Sequence, residues 1–243
     1  MQALRPKALE MGADIDVVSI DRAAARAAPM SWHWPEAPAT FYQRRGKRLL
    51  DLVLGTLLFV ALLPLMAGLA LAILLTSGRP VLYAAQRVGK DRRPFLVWKL
   101  RTMVCDADRL LECWKSTHPE LAAEYERHFK LRHDGRVTAL GHFLRKSSLD
   151  ELPQLWNVIR GEMSLVGPRP IVATEVAKYG EHARELMSSR PGVTGRWQVN
   201  GRNHVTYPER KWVELTYCRS VTLAGDLRIL LLTLAAPFRF NGV

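Results

Sequence analysis

The sequence predicts an α/β fold, mostly helical, in which a re-entrant membrane helix hairpin adjoins a small cytoplasmic-face domain of short strands and interfacial amphipathic helices. Three observations predict it. Leu52 to Gly78 is an uncharged run of 27 residues with Pro64 near its middle, basic clusters flank that run on both sides, and short extended segments alternate with helical spacing after it. The boundaries follow: residues 1–45 form a disordered basic tail, 46–80 the hairpin and 81–243 the cytoplasmic-face domain.

The tail mixes Ala, Arg and Pro with isolated apolar residues, too little to bury a core. In the apolar run, a straight helix at ~1.5 Å per residue would reach roughly 40 Å, enough to cross a hydrocarbon core. The flanks disfavour crossing: Arg44, Arg45, Lys47 and Arg48 precede the run while Arg79, Arg87, Lys90, Arg92 and Arg93 follow it, and a span would export one cluster. Pro64 removes a backbone donor and clashes with the preceding turn, so Leu52–Leu63 and Leu65–Thr76 become two arms of ~18 Å each, entering and leaving on one face.

Beyond the run, Val81–Tyr83 and Phe95–Met103 read as strands separated by the turn residues Gly89, Asp91 and Pro94. In the second, Phe95, Val97, Lys99, Arg101 and Met103 share one face. Asp106–Lys130 has helical spacing with a stop around Pro119, and a second helical region runs from Leu149 to Ile159 and ends at Gly161. Val172–Ser188 is again helical, Trp197–Val199 a brief strand, and Asp226–Ala236 a last helix too short to span but able to lie at the interface.

A formal charge of +12 implies an anionic partner, and beside a membrane segment the first candidates are anionic lipid head groups and phosphorylated substrates. Nucleic acid is disfavoured, since no helix-turn-helix, RNA-recognition or zinc-finger pattern accompanies the charge. Cys105, Cys113 and Cys218 are odd in number without CxxC spacing, and the seven histidines form no HExxH pair, so neither a disulfide framework nor a zinc site is supported. The apolar run begins too late and is too long for a cleavable signal peptide.

The densest constellation is Leu144-Arg145-Lys146-Ser147-Ser148-Leu149-Asp150-Glu151-Leu152-Pro153-Gln154-Leu155. Two carboxylates follow two cations at a helix start, where backbone N–H groups favour ionised acids and attract phosphate. An ionised Asp can attack phosphorus, and a neighbouring Glu can hold the divalent ion that screens a diphosphate. The competing reading is structural: Ser148 to Glu151 fits a capping box, with Asp150 merely favourable to the dipole, while Pro153 allows a start nearer itself. Lys99, Arg101, Arg145, Arg169 and Arg202 are the candidate substrate-phosphate-binding cations.

These residues match a specific pattern. Lys47-Arg48, an apolar segment with a central proline, KLRTM at 99–103, SLDELPQL at 148–155, GEMSLVGPRP at 161–170, PGVTG at 191–195 and QVNGRN at 198–203 occur in the order found in the bacterial sugar transferases. The chain resembles that family of monotopic polyprenyl-phosphate phosphoglycosyl transferases, closest in look to the exopolysaccharide undecaprenyl-phosphate galactose phosphotransferases. The resemblance implies transfer of a sugar 1-phosphate from a UDP-sugar to undecaprenyl phosphate with release of UMP, on the cytoplasmic face of the bacterial inner membrane. Asp150 is then the implied nucleophile, Glu151 the implied Mg²⁺ ligand, and Pro64 the proline that turns the membrane helix back. Lys99 and Arg145 fall on family active-site cations, and Arg169 and Arg202 match the GPRP and GRN arginines. Leu63, Glu214 and Arg196 depart from the family pattern. Galactose is the first expectation for the sugar and glucose the second; oligomeric state is unreadable, a homo-oligomer being open. The alternative is a basic membrane-associated scaffold or nucleic-acid-binding protein without catalysis, in which the Asp-Glu pair only caps a helix.

Overall fold

The computed structural model describes residues 40–128, 131, 133–199 and 207–239. The expected tail lies outside them except for its last residues, which form a π-helical turn at Tyr42–Gly46 that runs into helix α1, Lys47–Ser77. The expected pair of arms is one helix: residues 47–77 stay helical with Pro64 inside, and no turn separates two segments. Pro64 lacks the N–H that would bond Val60 O, and a helix tolerates that single loss by bending when its flanking residues keep helical torsions. Gly78 stops α1 at a φ of 72°, a conformation that costs a residue with a Cβ.

An antiparallel hairpin follows, β1 (Leu82–Val88) with β2 (Pro94–Leu100), in a register from Leu82↔Leu100 to Val88↔Pro94. The first strand is longer than expected and the second shorter. Met103 keeps only an isolated bridge to Val137, because the chain leaves the sheet after Leu100. Helices α2 (Ala107–Thr117) and α3 (Pro119–His128) part at His118, where the proline stop was expected.

Helix α4 (Ala139–Ser147) has no counterpart in the sequence reading; Thr138 caps it, its hydroxyl accepting from Gly141 N. A 3₁₀ turn at Leu149–Glu151 leads to α5 (Gln154–Arg160), which ends at Gly161 as expected. A three-residue parallel pair, β3 (Ser164–Val166) with β4 (Gly192–Thr194), also went unread. Between them the expected single helix is α6 (Ala173–Val176), a 3₁₀ segment interrupted at Gly180, and α7 (Ala183–Leu186). Trp197–Val199 is not a strand but part of α8 (Arg196–Val199), since Gln198 N and Val199 N both bond Gly195 O. Two helices close the described chain, α9 (Tyr207–Arg219) and α10 (Leu223–Arg239), the latter longer than expected.

Helix α1 serves two cores. Leu54, Leu58, Phe59 and Leu62 pack on the main cluster of Val97, Leu155, Val158, Met163, Leu165 and Val166, whereas Ile73 joins Leu100 and Leu144 in a separate one. Its other face leaves Leu57, Val60, Leu63, Leu71 and Leu75 exposed, a surface suited to lipid. Polar bonds fix both ends. Lys47 Nζ meets Asp226 at 2.5 Å, and Asp226 also accepts from the hydroxyls of Tyr42 and Tyr217 at 2.7 and 2.8 Å. Arg48 donates to Val158 O and Ile159 O, and buried Asp51 accepts from Leu165 N and the Ser164 hydroxyl. At the far end Arg101 donates to Ser77 O and Gly78 O at 2.6 and 2.9 Å.

Asp226→Ala strands the Lys47 ammonium in a part-buried site, with an expected cost of about 3–5 kcal/mol. Glu112→Ala, which breaks an exposed pair with Lys115, is expected to cost less than about 1 kcal/mol. Thermal inactivation of the two variants in the same detergent compares them; equal losses would contradict this assignment.

Candidate functional site

Helix α4, the 3₁₀ turn after it, α5 and strand β2 converge on Asp150. Ser148 holds the turn in the left-handed region, at φ 58° and ψ 18°, and its side chain caps nothing, so the capping box does not form. Freed from that role, the two carboxylates sit in a 3₁₀ turn ahead of α5.

Asp150 is buried, and Lys99 Nζ lies 4.0 Å from its Oδ2 while bonding Glu151 Oε1 at 2.7 Å. Burial pushes the Asp150 carboxyl up to about 6. The Lys99 and Arg145 charges oppose that rise and the Glu151 charge adds to it, but desolvation outweighs the two cations. Arg145, in the last turn of α4, donates from Nε to Thr102 Oγ1 at 2.9 Å. Arg169 lies over the Trp197 ring, 5.8 Å from its centroid, and its charge interacts with that of Glu151.

The structure thus gathers Asp150, Glu151, Lys99 and Arg145, with Arg169 within electrostatic reach. Arg101 is a correction: it is buried, and its guanidinium caps the C-terminus of α1 and touches Cys105 Sγ instead of facing the carboxylates. Sharing a strand face with Lys99 did not bring it to the same place, because β2 ends between them. Arg202 lies outside the described residues. Pro64 lies inside the apolar helix α1.

Glu214 and Asp226 are structural. Glu214 accepts from the Tyr179 hydroxyl at 2.5 Å and from Arg169 N at 3.1 Å, bracing the GPRP loop, while Asp226 holds α1. Asn157 escaped the sequence reading. Fully buried, it accepts from Trp98 N and donates to Leu96 O, tying α5 to the strand that carries Lys99. A polar residue between apolar Trp156 and Val158, just past the densest motif, was the available signal.

Whether Mg²⁺ fits depends on donors. Among the described residues no three acidic, His or Cys side chains gather to hold a metal, so there is no all-protein cage. Mg²⁺ is ordinarily held by one or two carboxylates together with substrate phosphates and water. Glu151, whose side chain is 34% exposed and already neutralised by a cation at Lys99, meets that minimum.

The described residues thus join an apolar helix, long enough to cross a membrane, to a domain whose buried carboxylate is set among cations. Residues 42–239 match the family model described as bacterial sugar transferase, and the chain belongs to that family. It is 42% identical over 196 residues to the UDP-galactose-lipid carrier transferase of Erwinia amylovora and 41% identical over 196 residues to the undecaprenyl-phosphate galactose phosphotransferase of Salmonella typhimurium. Both matches cover 81% of this chain but 41% of the relative, so the chain spans about two fifths of their length. The exopolysaccharide production protein ExoY of Sinorhizobium fredii is 38% identical over 217 residues, 88% of this chain and 96% of that protein.

Because Asp150 is harder to ionise folded than unfolded, stability falls as pH rises from about 4 to 6, and above that range a penalty of about 3 kcal/mol persists. Asp150→Asn, neutral at every pH, is therefore expected to raise the melting temperature at pH 7.5 in metal-free buffer, with the gain shrinking towards pH 4. A gain independent of pH, or none, would contradict the burial-driven shift.

Proposed function

We propose that this chain transfers a sugar 1-phosphate from a UDP-sugar to undecaprenyl phosphate through a covalent intermediate on Asp150, beginning the assembly of an exopolysaccharide or capsule. The observation that carries the reading is a buried carboxylate with Lys99 at 4.0 Å and no side-chain hydrogen bond from that lysine on it, so the cation does not take up the oxygen that would attack. In the first step an Asp150 oxygen bonds to the sugar-bearing phosphorus, the bond from that phosphorus to the bridging oxygen breaks, and UMP leaves. In the second, an oxygen of the lipid phosphate attacks the same phosphorus and Asp150 departs with its electron pair. Lys99 and Arg145 offset negative charge at the transferring phosphoryl group, and the Arg169 charge acts on that of Glu151. Glu151 would hold Mg²⁺, which supplies further positive charge to a diphosphate when bound.

Galactose is the first expectation for the sugar, a choice supported by two relatives with galactose in their names; glucose is second. Helix α1 is proposed to enter and leave the inner membrane on the cytoplasmic face. Support comes from its ends: Lys47, Arg48, Asp51, Ser77 and Gly78 are all bonded to one domain, so a straight crossing would have to tear one set away.

Asp150→Asn is expected to abolish UMP release in detergent with undecaprenyl phosphate, Mg²⁺ and a panel of UDP-sugars, and to abolish covalent labelling by the donor. Full activity in that variant would reject the mechanism, and the panel identifies the sugar. For topology, cysteines placed before Phe41 and after Arg92, in a chain with Cys105, Cys113 and Cys218 replaced, should both be shielded from an impermeant reagent in intact cells. Labelling at one end alone would mean a span.

A further inference from the structure

We propose that Thr102 is a positioning residue that fixes the guanidinium of Arg145 beside Asp150, so that the two terminal nitrogens of Arg145 are left to meet an incoming phosphate; this rests on the reaction proposed above. The side-chain hydrogen bond that Arg145 makes among the described residues uses Nε alone, with Thr102 Oγ1 as the acceptor at 2.9 Å. A planar guanidinium held at Nε fixes the plane of the whole group and keeps the donors of its two terminal nitrogens available. Arg145 sits in the last turn of α4, which runs directly into the 3₁₀ turn that carries Asp150, and its charge interacts with those of Asp150, Asp134 and Arg136.

Thr102 itself is firmly placed. It is buried, and its carbonyl accepts from Thr138 N at 3.0 Å. A Cβ at Gly141 would fall 2.0 Å from that carbonyl oxygen, so only glycine lets the segment press on α4 this closely. The contacts to residues 138, 141 and 145 follow the three- and four-residue spacing of one helix face. On either side, Arg101 N bonds Val81 O and Met103 bridges to Val137, so the residue cannot drift along the chain. The segment that supplies Lys99 to Asp150 therefore also holds Arg145, whose charge acts on the same carboxylate. A role in packing alone would not need an acceptor on the Arg145 side; valine would fill the same space.

The test is a double-mutant cycle on the full chain in detergent, following UMP release and adduct formation for wild type, Thr102→Val, Arg145→Ala and the double variant. Thr102→Val is expected to lower kcat by about 10- to 100-fold, the scale of a misdirected catalytic group. In the Arg145→Ala background it is expected to cost less than about twofold, since the group it positions is gone. Thr102→Ser, which keeps the acceptor, should stay within about twofold of wild type. Losses that multiply in the double variant, a Thr102→Val enzyme as fast as wild type, or failure of serine to preserve the rate would each overturn the proposal. Thr102→Ala takes the place of valine in the cycle if the valine variant does not fold. Failure of the underlying reaction looks different: no adduct in wild type, or an Arg145→Ala enzyme at full rate.

Discussion

The rest of the structure depends on the attachment of α1 at both of its ends to a single domain. At ~1.5 Å per residue its 31 residues would measure roughly 46 Å if straight, yet Asp226, α5 and β3 hold one end while Arg101 holds the other. These bonds involve buried or part-buried charges, whose loss costs several kcal/mol apiece, so the helix cannot readily trade them for a deeper path. Its exposed leucines lie between the anchors. An apolar middle with polar ends on the same body suits a shallow excursion into one leaflet, and Pro64 supplies the point where the helix can bend. The same attachment arranges the chemistry: Arg48 bonds the last carbonyls of α5, whose other end follows Asp150 and Glu151, and Arg101 is two residues beyond Lys99.

What the sequence disclosed, and what it did not, divides by the range of the forces involved. Gly161, Pro119 and the hairpin turn at Gly89–Pro94 act within a few residues, and the chain stops or turns at each as expected. Helix α4 has a local cap in Thr138 but only nine residues and an interior glycine, so its period is too brief to register. The parallel pair β3–β4 is three residues deep and joins segments more than twenty residues apart; nothing local specifies it. Among candidate site residues, Asp150, Glu151, Lys99 and Arg145 were legible because adjacent motifs carry them. Arg101 was misassigned for a complementary reason. Its strand parity matched Lys99, but its fate was decided by carbonyls left open at the end of α1, a partner 23 residues away in the chain. Asn157, Glu214 and Asp226 took their importance from burial, which periodicity could not reveal for isolated polar residues.

The electrostatics of the site turn on where Lys99 makes its hydrogen bond. Bonded to Glu151 at 2.7 Å and 4.0 Å from Asp150, it lends its field to the Asp150 carboxylate without itself occupying a lone pair there. Two cations without burial would hold an aspartate firmly ionised and weakly basic; burial alone would keep it protonated. Here the competing effects push the carboxyl up to about 6, mostly ionised at neutral pH yet more basic than a surface aspartate, as the proposed attack on phosphorus would need. A phosphate arriving between Lys99 and Arg145 would relieve the like-charge crowding of Asp150 and Glu151 only if both cations turn to it. In the proposed reaction the two cations would then differ in freedom: Arg145, tethered through Nε to Thr102, would set where the phosphoryl group sits, and Lys99, bonded to a part-exposed carboxylate, could follow its charge as the bonds to phosphorus change.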